Sequence, residues 1–425
     1  MKKLQLIITI FCTAVCLNGN AQTITTYAGN GLTGTSLEGV PATSTTAILP
    51  GAGVFDAAGN YYFASAQTRI KRVTPAGIVT TVAGGGTTLG DNGPATAAAL
   101  HFQGMHVDSI GNIYIADYYN FRLRKVDAAT AIITTIGGTG SSGSTGNGGP
   151  STAANMAPVD VITDGVGNVY VTDNGTVRKI DATTGIINYV ATMIGGLCFP
   201  ENYSHLYVAG LKIWRINMTT MAIDTIAGTG MATYNGDGMP ATATNFRTYD
   251  MAISPAGLIY IGDYVNDRIR MIDAAGVMHN IAGTGVEGYN GDNIAATAAQ
   301  IYNPQGLAFD RCGNLYIGDD ANHRVRKIDF NPGCTDTPSH VGVVNANGSR
   351  AISVYPNPVW VELSVDGLTE TAQYKLYDLT GRQVMNGTLQ PGSNKLNLQQ
   401  LVQGIYTLQV LDAGGVREVW KVLKE

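Results

Sequence analysis

Charged side chains are scarce in this sequence. Asp, Glu, Lys and Arg make up only 13% of its 425 residues, which is about half the usual share for a globular protein. The Lys and Arg residues form no cluster interleaved with aromatic residues, and the net charge is −5. Because nucleic acid is bound through such basic clusters, we do not expect nucleic acid as a partner.

Long apolar runs are also lacking beyond the N-terminus. The run at residues 4–17 is shorter than the roughly 20 residues that a membrane-spanning helix needs, so no transmembrane span is expected. Lys2 and Lys3 precede it and Gly19-Asn20-Ala21 follows it, which is the order of a secretory signal peptide. We predict that residues 1–21 are this signal, cleaved after Ala21. A buried N-terminal helix is the alternative.

Glycine and tyrosine, by contrast, are frequent, with 54 and 21 residues, which is typical of short strands joined by tight turns. The segment 111–127 recurs as 313–329, and four further copies, some shortened or degenerate, are present. A recurrence of this kind indicates a repeat architecture. The copies are centred on equivalent tyrosines, namely Tyr62, Tyr114, Tyr170, Tyr207, Tyr260 and Tyr316.

Each copy has the pattern of a β-hairpin, with polar turn residues between two short strands. An apolar strand precedes each hairpin and a Thr- and Ile-rich strand generally follows it, which makes four strands per copy, as in a propeller blade. The sixth copy lacks the following strand, and residues 23–27 have the composition of that strand. We predict that this segment completes the last blade beside residues 324–328 and closes the ring.

The recurring hairpin resembles the NHL repeat over residues 22–330. The resemblance implies a six-bladed NHL-like β-propeller. Blades 1 and 4 depart from the pattern, because Ser65 stands where other blades have Asp, and Ala209-Gly210 replaces the Asp-containing turn.

The C-terminal part has a different period. Residues 331–350 are polar and contain Pro and Gly, which predicts a linker. Residues 351–425 alternate short strands with turns, which predicts a small β-sandwich. The fold class expected for the chain is therefore all-β, with a six-bladed propeller followed by a small C-terminal β-sandwich.

A set of motif residues distinguishes this C-terminal part, namely Tyr355, Pro356, Asn357, Pro358, Gly381, Arg382, Gly404, Tyr406, Lys421 and Lys424. With them, residues 351–425 closely resemble a type A C-terminal sorting domain of the type IX secretion (Por secretion) system. The resemblance implies export across the outer membrane of a Bacteroidota-type bacterium, with the type IX secretion machinery as partner. It further implies release of the protein or its attachment to the cell surface. An ordinary β-sandwich adhesion or carbohydrate module is the alternative.

Cysteine is scarce as well, with five residues, two of them in the predicted signal peptide. An odd number of remaining cysteines outside the cytosol suggests one pair and one free thiol. Cys312 begins the last hairpin and Cys334 follows its end, so the two fall almost opposite each other, and a disulfide between them would staple the final blade. Cys198 lies in an apolar strand and is expected to be a buried free thiol.

Polar residues that recur in most blades are interpreted as structural, because every blade needs the same turn. A ring of cation sites is the alternative interpretation. The residues concerned are Asp117, Asp173, Asp263, Asp319, Asn120, Asn266, Asn322, Arg122, Arg268 and Arg324.

Polar residues that depart from the repeat are the candidates for function. Aligned on 306–310, the innermost strands carry Asp160 and Asp250 where blade 6 has Gly306, and His106 where it has Ala308. Gln103, Tyr249 and Gln305 precede the Gly306 position in their blades. These six residues are predicted to meet at the mouth of the central channel, where they would bind a polar ligand or a metal ion. A hydrated polar channel is the alternative.

The sequence contains no hydrolase nucleophile elbow, zinc-protease His pair or Cys/His constellation. No catalytic residue and no cofactor are therefore predicted, with Ca or Zn at the channel mouth left open. We expect a secreted or cell-surface propeller that binds a glycan, peptide or protein. The alternatives are a metal-dependent lyase or lactonase that uses the channel carboxylates, and a structural surface component.

Overall fold

The computed structural model describes residues 22–200, 203–332, 334, 353–355, 362–368, 371–378, 382–402, 404–412 and 415–424. All strands in these residues pair antiparallel, and the only helices among them are seven 3-10 turns of three residues each. The all-β prediction is therefore confirmed. The predicted signal peptide and most of the predicted linker lie outside the described residues.

Six sheets follow one another along the propeller, each with four main strands in sequence order from the centre outwards. In the first three blades these strands are Gly53–Phe55, Tyr61–Ser65, Arg69–Val73 and Ile78–Gly84; Gly104–Val107, Ile113–Asp117, Arg122–Val126 and Ile132–Gly137; and Pro158–Thr163, Val169–Asp173, Thr176–Ile180 and Ile186–Ala191.

Blades 4 and 5 repeat this order, whereas blade 6 takes its outermost strand from the N-terminus. The strands are Gly196–Cys198, His205–Ala209, Ile213–Asn217 and Ile223–Ala227; Met251–Ile253, Ile259–Asp263, Arg268–Ile272 and Met278–Ala282; and Pro304–Phe309, Leu315–Asp319, Arg324–Asp329 and Thr23–Ala28.

The glycine-rich loops between blades run along the outer edges of the sheets. Four of them add a two-residue fifth strand, namely Val40–Pro41, Gly93–Pro94, Gly149–Pro150 and Ile294–Ala295. The 3-10 turns are Ala42–Ser44, Ala95–Ala97, Tyr118–Asn120, Ser151–Ala153, Ala241–Ala243, Ala296–Ala298 and Asp320–Asn322.

The ring closes as the sequence predicts. Ile24 pairs with Ile328 and Thr26 with Arg326, so the N-terminal strand lies antiparallel to the third strand of blade 6. Each innermost strand also contacts those of both neighbouring blades, including blade 6 with blade 1. Tyr27 packs across this junction, with its ring centroid 4.7 Å from that of Tyr316 and 5.8 Å from that of Tyr61.

Apolar side chains between adjacent blades form the propeller core. Between blades 1 and 2, for example, Ile70, Phe102 and Ile115 are fully buried in one cluster. Because burial of apolar area stabilises a fold by about 25 cal/mol per Å², these interblade layers hold the ring together.

The recurring polar residues form buried ion pairs inside the hairpins, which supports their structural interpretation. Asp117 accepts two hydrogen bonds from the Asn120 side-chain amide, at 2.9 and 3.0 Å, and pairs with Arg124 at 3.4 Å. Both members of the ion pair are fully buried. Equivalent pairs are Asp173 with Arg178, Asp263 with Arg270, and Asp319 with Arg326.

The arginines in these pairs are not the ones that the sequence singled out. Arg122 instead donates to the backbone carbonyls of Asn120 and Thr139, and so fixes the turn. Arg124 also binds Asp91 of the preceding interblade loop at 2.9 Å. The same loop contact joins Arg270 to Asp237 and Arg326 to Asp292.

Blade 1 replaces this arrangement. Lys71 is fully buried where Arg124 stands in blade 2, and it pairs with Glu38 of the interblade loop. Ser65 occupies the Asp117 position. Blade 1 thus has Lys in place of the buried Arg and Ser in place of the buried Asp. The buried cation keeps a carboxylate partner in the interblade loop, and no unpaired Asp is left in the hairpin.

A disulfide joins Cys312 and Cys334, whose Cα atoms are 5.8 Å apart. It ties the residue that follows the last hairpin to the turn that begins it.

The C-terminal module consists of two sheets. One contains Ser353–Tyr355, Glu362–Leu368 and Gly392–Asn397, and the other contains Gln383–Leu389, Ala372–Asp378, Gly404–Asp412 and Gly415–Lys424. Leu363 and Val365 of the first sheet share a buried cluster with Leu376 and Leu408 of the second. Two sheets around one apolar layer form the predicted β-sandwich.

Candidate ligand-binding channel

The innermost strands of all six blades surround a central cavity of about 960 Å³. Its lining includes all six side chains that the sequence placed at the channel mouth, namely Gln103, His106, Asp160, Tyr249, Asp250 and Gln305. They come from blades 2, 3, 5 and 6. The structure therefore brings the candidates together, and their role in binding stays a prediction.

Asp160 and Asp250 each bridge two neighbouring blades. The Asp160 carboxylate accepts a hydrogen bond of 2.7 Å from the backbone N–H of Leu197 in blade 4. The Asp250 carboxylate accepts one of 3.0 Å from the backbone N–H of Leu307 in blade 6. Adjacent innermost strands belong to different sheets and form no backbone hydrogen bonds of a β-ladder with each other. The two carboxylates therefore supply hydrogen bonds between neighbouring blades.

Glycine alternates with these carboxylates around the channel. Blades 2, 4 and 6 have Gly104, Gly196 and Gly306 at the position where blades 3 and 5 have Asp. A Cβ atom at these glycines would lie only 2.7, 3.2 and 2.9 Å from the Cα atoms of Asp160, Asp250 and Ala52, respectively. The glycines thus let the even-numbered blades approach the next blade closely.

Both carboxyls hold their protons more tightly than an ordinary Asp. Burial raises the pKa of Asp160 to about 6. Burial and the nearby Asp160 raise the pKa of Asp250 to about 8. At neutral pH the pair therefore carries less negative charge than two exposed carboxylates would.

His106 and Cys198 lie one step deeper in the channel, at equivalent positions of blades 2 and 4. Burial lowers the pKa of His106 to about 4, so its ring is neutral at pH 7. Cys198 is free, half-buried and part of the cavity lining. Burial and the nearby Asp250 raise its pKa to about 12. Cys198 was expected as a buried free thiol, and its place in the channel lining was not predicted. The alignment of Cys198 with His106 would have indicated that place.

The channel mouth carries a stacked aromatic pair. The ring of Tyr249 lies parallel to that of Tyr264, with centroids 4.2 Å apart and an interplanar angle of 8°. The guanidinium of Arg247 lies 5.6 Å from the centroid of Tyr264. Sequence reasoning found Tyr249 but not Tyr264 or Arg247, because the blade 5 hairpin turn brings Tyr264 to the mouth from a distant position.

Polar contacts position one of the two glutamines at the mouth. The Gln305 side-chain amide donates to Asp320 at 3.2 Å, and the Asn303 amide donates to the same carboxylate oxygen at 2.9 Å. Burial raises the pKa of Asp320 to about 6. Gln103 reaches the cavity from blade 2.

In the described residues, no three His, Cys, Asp or Glu side chains lie close enough together to hold one metal ion. Asp160 and Asp250 are the two carboxylates of the described lining near the mouth, with His106 and Cys198 further along the channel, whereas Asp56 and Asp310 line its other end. The same part of the chain has no helix of the length and hydrophobicity that a membrane crossing requires.

Where the structure describes them, the sorting-motif residues other than Tyr355 lie in or next to the four-stranded sheet of the C-terminal sandwich. The Arg382 guanidinium binds Asp378 at 3.0 Å, and the Tyr406 hydroxyl donates to the carbonyl of Val402 at 2.7 Å. Gly404 begins the strand that holds Tyr406, and Lys421 and Lys424 lie in the last strand. Tyr355 is in the first strand of the other sheet, and Pro356, Asn357, Pro358 and Gly381 lie outside the described residues.

Residues 353–425 match the family model of the secretion system C-terminal sorting domain. The C-terminal module is a type IX sorting domain. It marks the protein for export through the type IX secretion system, to the cell surface or the medium, and this machinery is the partner of the sorting domain.

The propeller has the fold of known Bacteroides proteins. An auxiliary nutrient binding protein from Bacteroides thetaiotaomicron superposes with a TM-score of 0.57 at 18% identity, over 72% of this chain and 76% of that one. A second auxiliary nutrient binding protein, from Bacteroides ovatus, superposes with a TM-score of 0.56 at 16% identity, over 73% of this chain and 76% of that one. At these identities the likeness shows a shared fold.

A sequence relative occurs in plants. Protein SUPPRESSOR OF QUENCHING 1, chloroplastic, from Arabidopsis thaliana is 24% identical over 269 residues. The match covers 54% of this chain, which spans only 25% of the length of that protein.

Proposed function

We propose that this protein is a binding protein of the cell exterior, which takes up an extracellular ligand at the mouth of its propeller channel. The observation that carries the proposal is the convergence of polar and aromatic side chains from four blades on one cavity of about 960 Å³. Ligand sites are concave, with a few polar groups that fix the ligand. The two Bacteroides proteins of the same fold are auxiliary nutrient binding proteins, which supports the same class of function.

A signal peptide at residues 1–21 would bring the chain to the periplasm before type IX export. The ring closure supports cleavage after Ala21, because the Gln22 carbonyl accepts a hydrogen bond from Ala296 beside the N-terminal strand. N-terminal sequencing of the exported protein should therefore give Gln22 as the first residue. A start within 23–28 would remove part of the closing strand and contradict the proposed route.

The binding proposal is tested with the exported full chain. Thermal unfolding is followed against a library of extracellular saccharides and peptides, and each ligand found is tested again on Gln103→Ala and Gln305→Ala. We expect at least one ligand to raise the unfolding temperature of the wild type and to do so less in the two variants. A ligand whose effect is unchanged in both variants would place binding elsewhere.

The metal-dependent lyase or lactonase remains a prediction with its own test. Elemental analysis of the purified protein would show stoichiometric Ca or Zn, and that metal would be lost in Asp160→Ala and Asp250→Ala. Two results would contradict a metal site at this carboxylate pair. Either both variants keep the metal, or the wild-type protein contains no metal.

A further inference from the structure

The stack on blade 5 presents one tyrosine ring at the channel mouth. Tyr264 lies between Arg247 and Tyr249, since it contacts the ring of Tyr249 and also the guanidinium. Tyr249 is the end of this stack nearest the cavity, which it lines, and it is still 51% exposed. A ring supported from behind loses little freedom when a ligand packs on its open side.

A second aromatic cluster lies on the same face of the propeller. The ring of Tyr119 is 53% exposed, and its centroid lies 3.9 Å from that of His101. Tyr118 packs edge-on against Tyr119 at 4.9 Å. These residues belong to blade 2, which is three blades away from blade 5 in a ring of six. The two clusters therefore lie on opposite sides of the channel.

The groups between the two clusters are amides and carboxyls. Gln103 and Gln305 occupy the same level of the channel as Tyr249, and Asp160 and Asp250 lie one residue deeper. Among the described lining residues, Arg311 is the one Lys or Arg, and it lies at the opposite end of the channel. An anionic ligand would therefore find no Lys or Arg in the described lining of this mouth, since Arg247 lies behind the Tyr264 ring, whereas hydroxyl groups find both donors and acceptors.

We propose that the ligand is a neutral oligosaccharide that lies across the channel mouth, with the C–H face of one sugar ring on Tyr249 and that of another on Tyr119. This assignment rests on the proposed binding function and names its substrate class. Sugar rings expose flat apolar faces that suit aromatic side chains, and their hydroxyls suit the amides between. Because the two rings are on opposite sides of the channel, only a chain of several sugars reaches both.

The test measures binding by titration calorimetry at pH 7 with the exported full chain. The probes are neutral maltohexaose, cellohexaose and mannohexaose with their shorter homologues, the anionic hexagalacturonate, and the cationic peptide hexalysine. The variants are Tyr249→Ala, Tyr119→Ala, Tyr249→Phe, which keeps the ring, and Gln103→Ala. Tyr189→Ala is the matched control, since Tyr189 is 52% exposed on the outermost strand of blade 3, away from the channel.

We expect at least one neutral hexasaccharide to bind, and its shorter homologues to bind more weakly. Tyr249→Ala and Tyr119→Ala should each weaken binding about tenfold or more, as central aromatic contacts do. Tyr249→Phe should stay within about threefold, and Tyr189→Ala should equal the wild type.

Three results would overturn the assignment. The first is a neutral sugar whose affinity is unchanged by Tyr249→Ala and Tyr119→Ala but reduced by Gln103→Ala. The second is binding of hexagalacturonate in preference to every neutral sugar, and the third is binding of hexalysine alone. If Gln103→Ala weakens the binding observed in any of these three results, the channel mouth still binds a ligand. Only the proposed class of that ligand, a neutral oligosaccharide, would then be wrong. A wild-type protein that binds no probe here and none in the wider library would instead contradict the binding function itself.

Discussion

The hairpins of the propeller repeat from blade to blade, whereas the innermost strands differ. In blades 2, 3, 5 and 6 the hairpins contain the same fully buried Asp–Arg pair, such as Asp117 with Arg124. The innermost strands share no such set, and Gly104, Asp160 and Gly196 follow one another at a single position. Repetition thus marks groups that each blade needs for itself, and variation marks the channel.

The comparison also shows that variation alone does not identify a ligand group. A hairpin Asp finds its partners within its own blade and the loop that leads into it. The channel residues Asp160 and Asp250 instead accept hydrogen bonds from the next blade. Their carboxylates therefore have a structural role in addition to their place in the cavity, and only experiments that separate stability from binding can distinguish the two roles.

The largest effect is expected from a break in a hairpin pair. Asp117→Ala leaves the fully buried Arg124 without the carboxylate at 3.4 Å. We expect a loss of about 2–4 kcal/mol in the free energy of unfolding, because Arg124 keeps only Asp91 of its two carboxylates and the donors on Asn120 and His101 lose their acceptor. The control is Asp224→Ala, since Asp224 is exposed and its partner Arg215 is only half-buried, and it should cost less than about 1 kcal/mol. Urea unfolding measures both, and equal losses would refute the proposed difference between the hairpins and exposed ion pairs.

A smaller, pH-dependent effect is expected from the channel carboxyls. Burial raises the folded-state pKa of Asp250 to about 8, above the value of about 3.9 for an unfolded chain. The folded state therefore holds this proton more tightly, and the stability gained from it is complete below the unfolded pKa and is lost as the pH rises through 8.

Asp250→Asn removes this titration and keeps a side-chain oxygen that can accept from Leu307. We expect the variant to match the wild type near pH 4 and to be more stable at pH 9 by about 1–2 kcal/mol, because one pKa unit corresponds to about 1.4 kcal/mol and channel water screens the charge. Thermal unfolding across this pH range provides the measurement. For Asp160→Asn the difference should open over the same pH range but level off near pH 6, since the folded-state pKa of Asp160 is about 6. A constant difference at all pH values would contradict the assignment.

The repeats predicted the fold because each blade is a local unit. Six hairpins and a missing outer strand were enough to place Thr23–Ala28 beside the third strand of blade 6. They also placed six residues in one cavity, since equivalent positions of a ring face the same axis. Contacts between distant segments were not predictable in this way. The bond from Arg124 to Asp91 and the stack of Tyr249 on Tyr264 depend on how loops and turns pack against each other.

The smallest effect tests the alternation of glycine and carboxylate around the channel. Ala52 of blade 1 occupies the position that Asp160 and Asp250 occupy in blades 3 and 5, and the register places the N–H of Met105 where those of Leu197 and Leu307 lie. Ala52→Asp would therefore add a third bridge between blades. At pH 5 we expect a change within about 1 kcal/mol of the wild type, because a new hydrogen bond offsets the burial of a polar group. At pH 9 the variant should be less stable than the wild type, since a third carboxylate then joins two others in one cavity. A large loss at pH 5 would show that blade 1 lacks the carboxylate for want of space, and that the alternation is broken there by packing and not by charge.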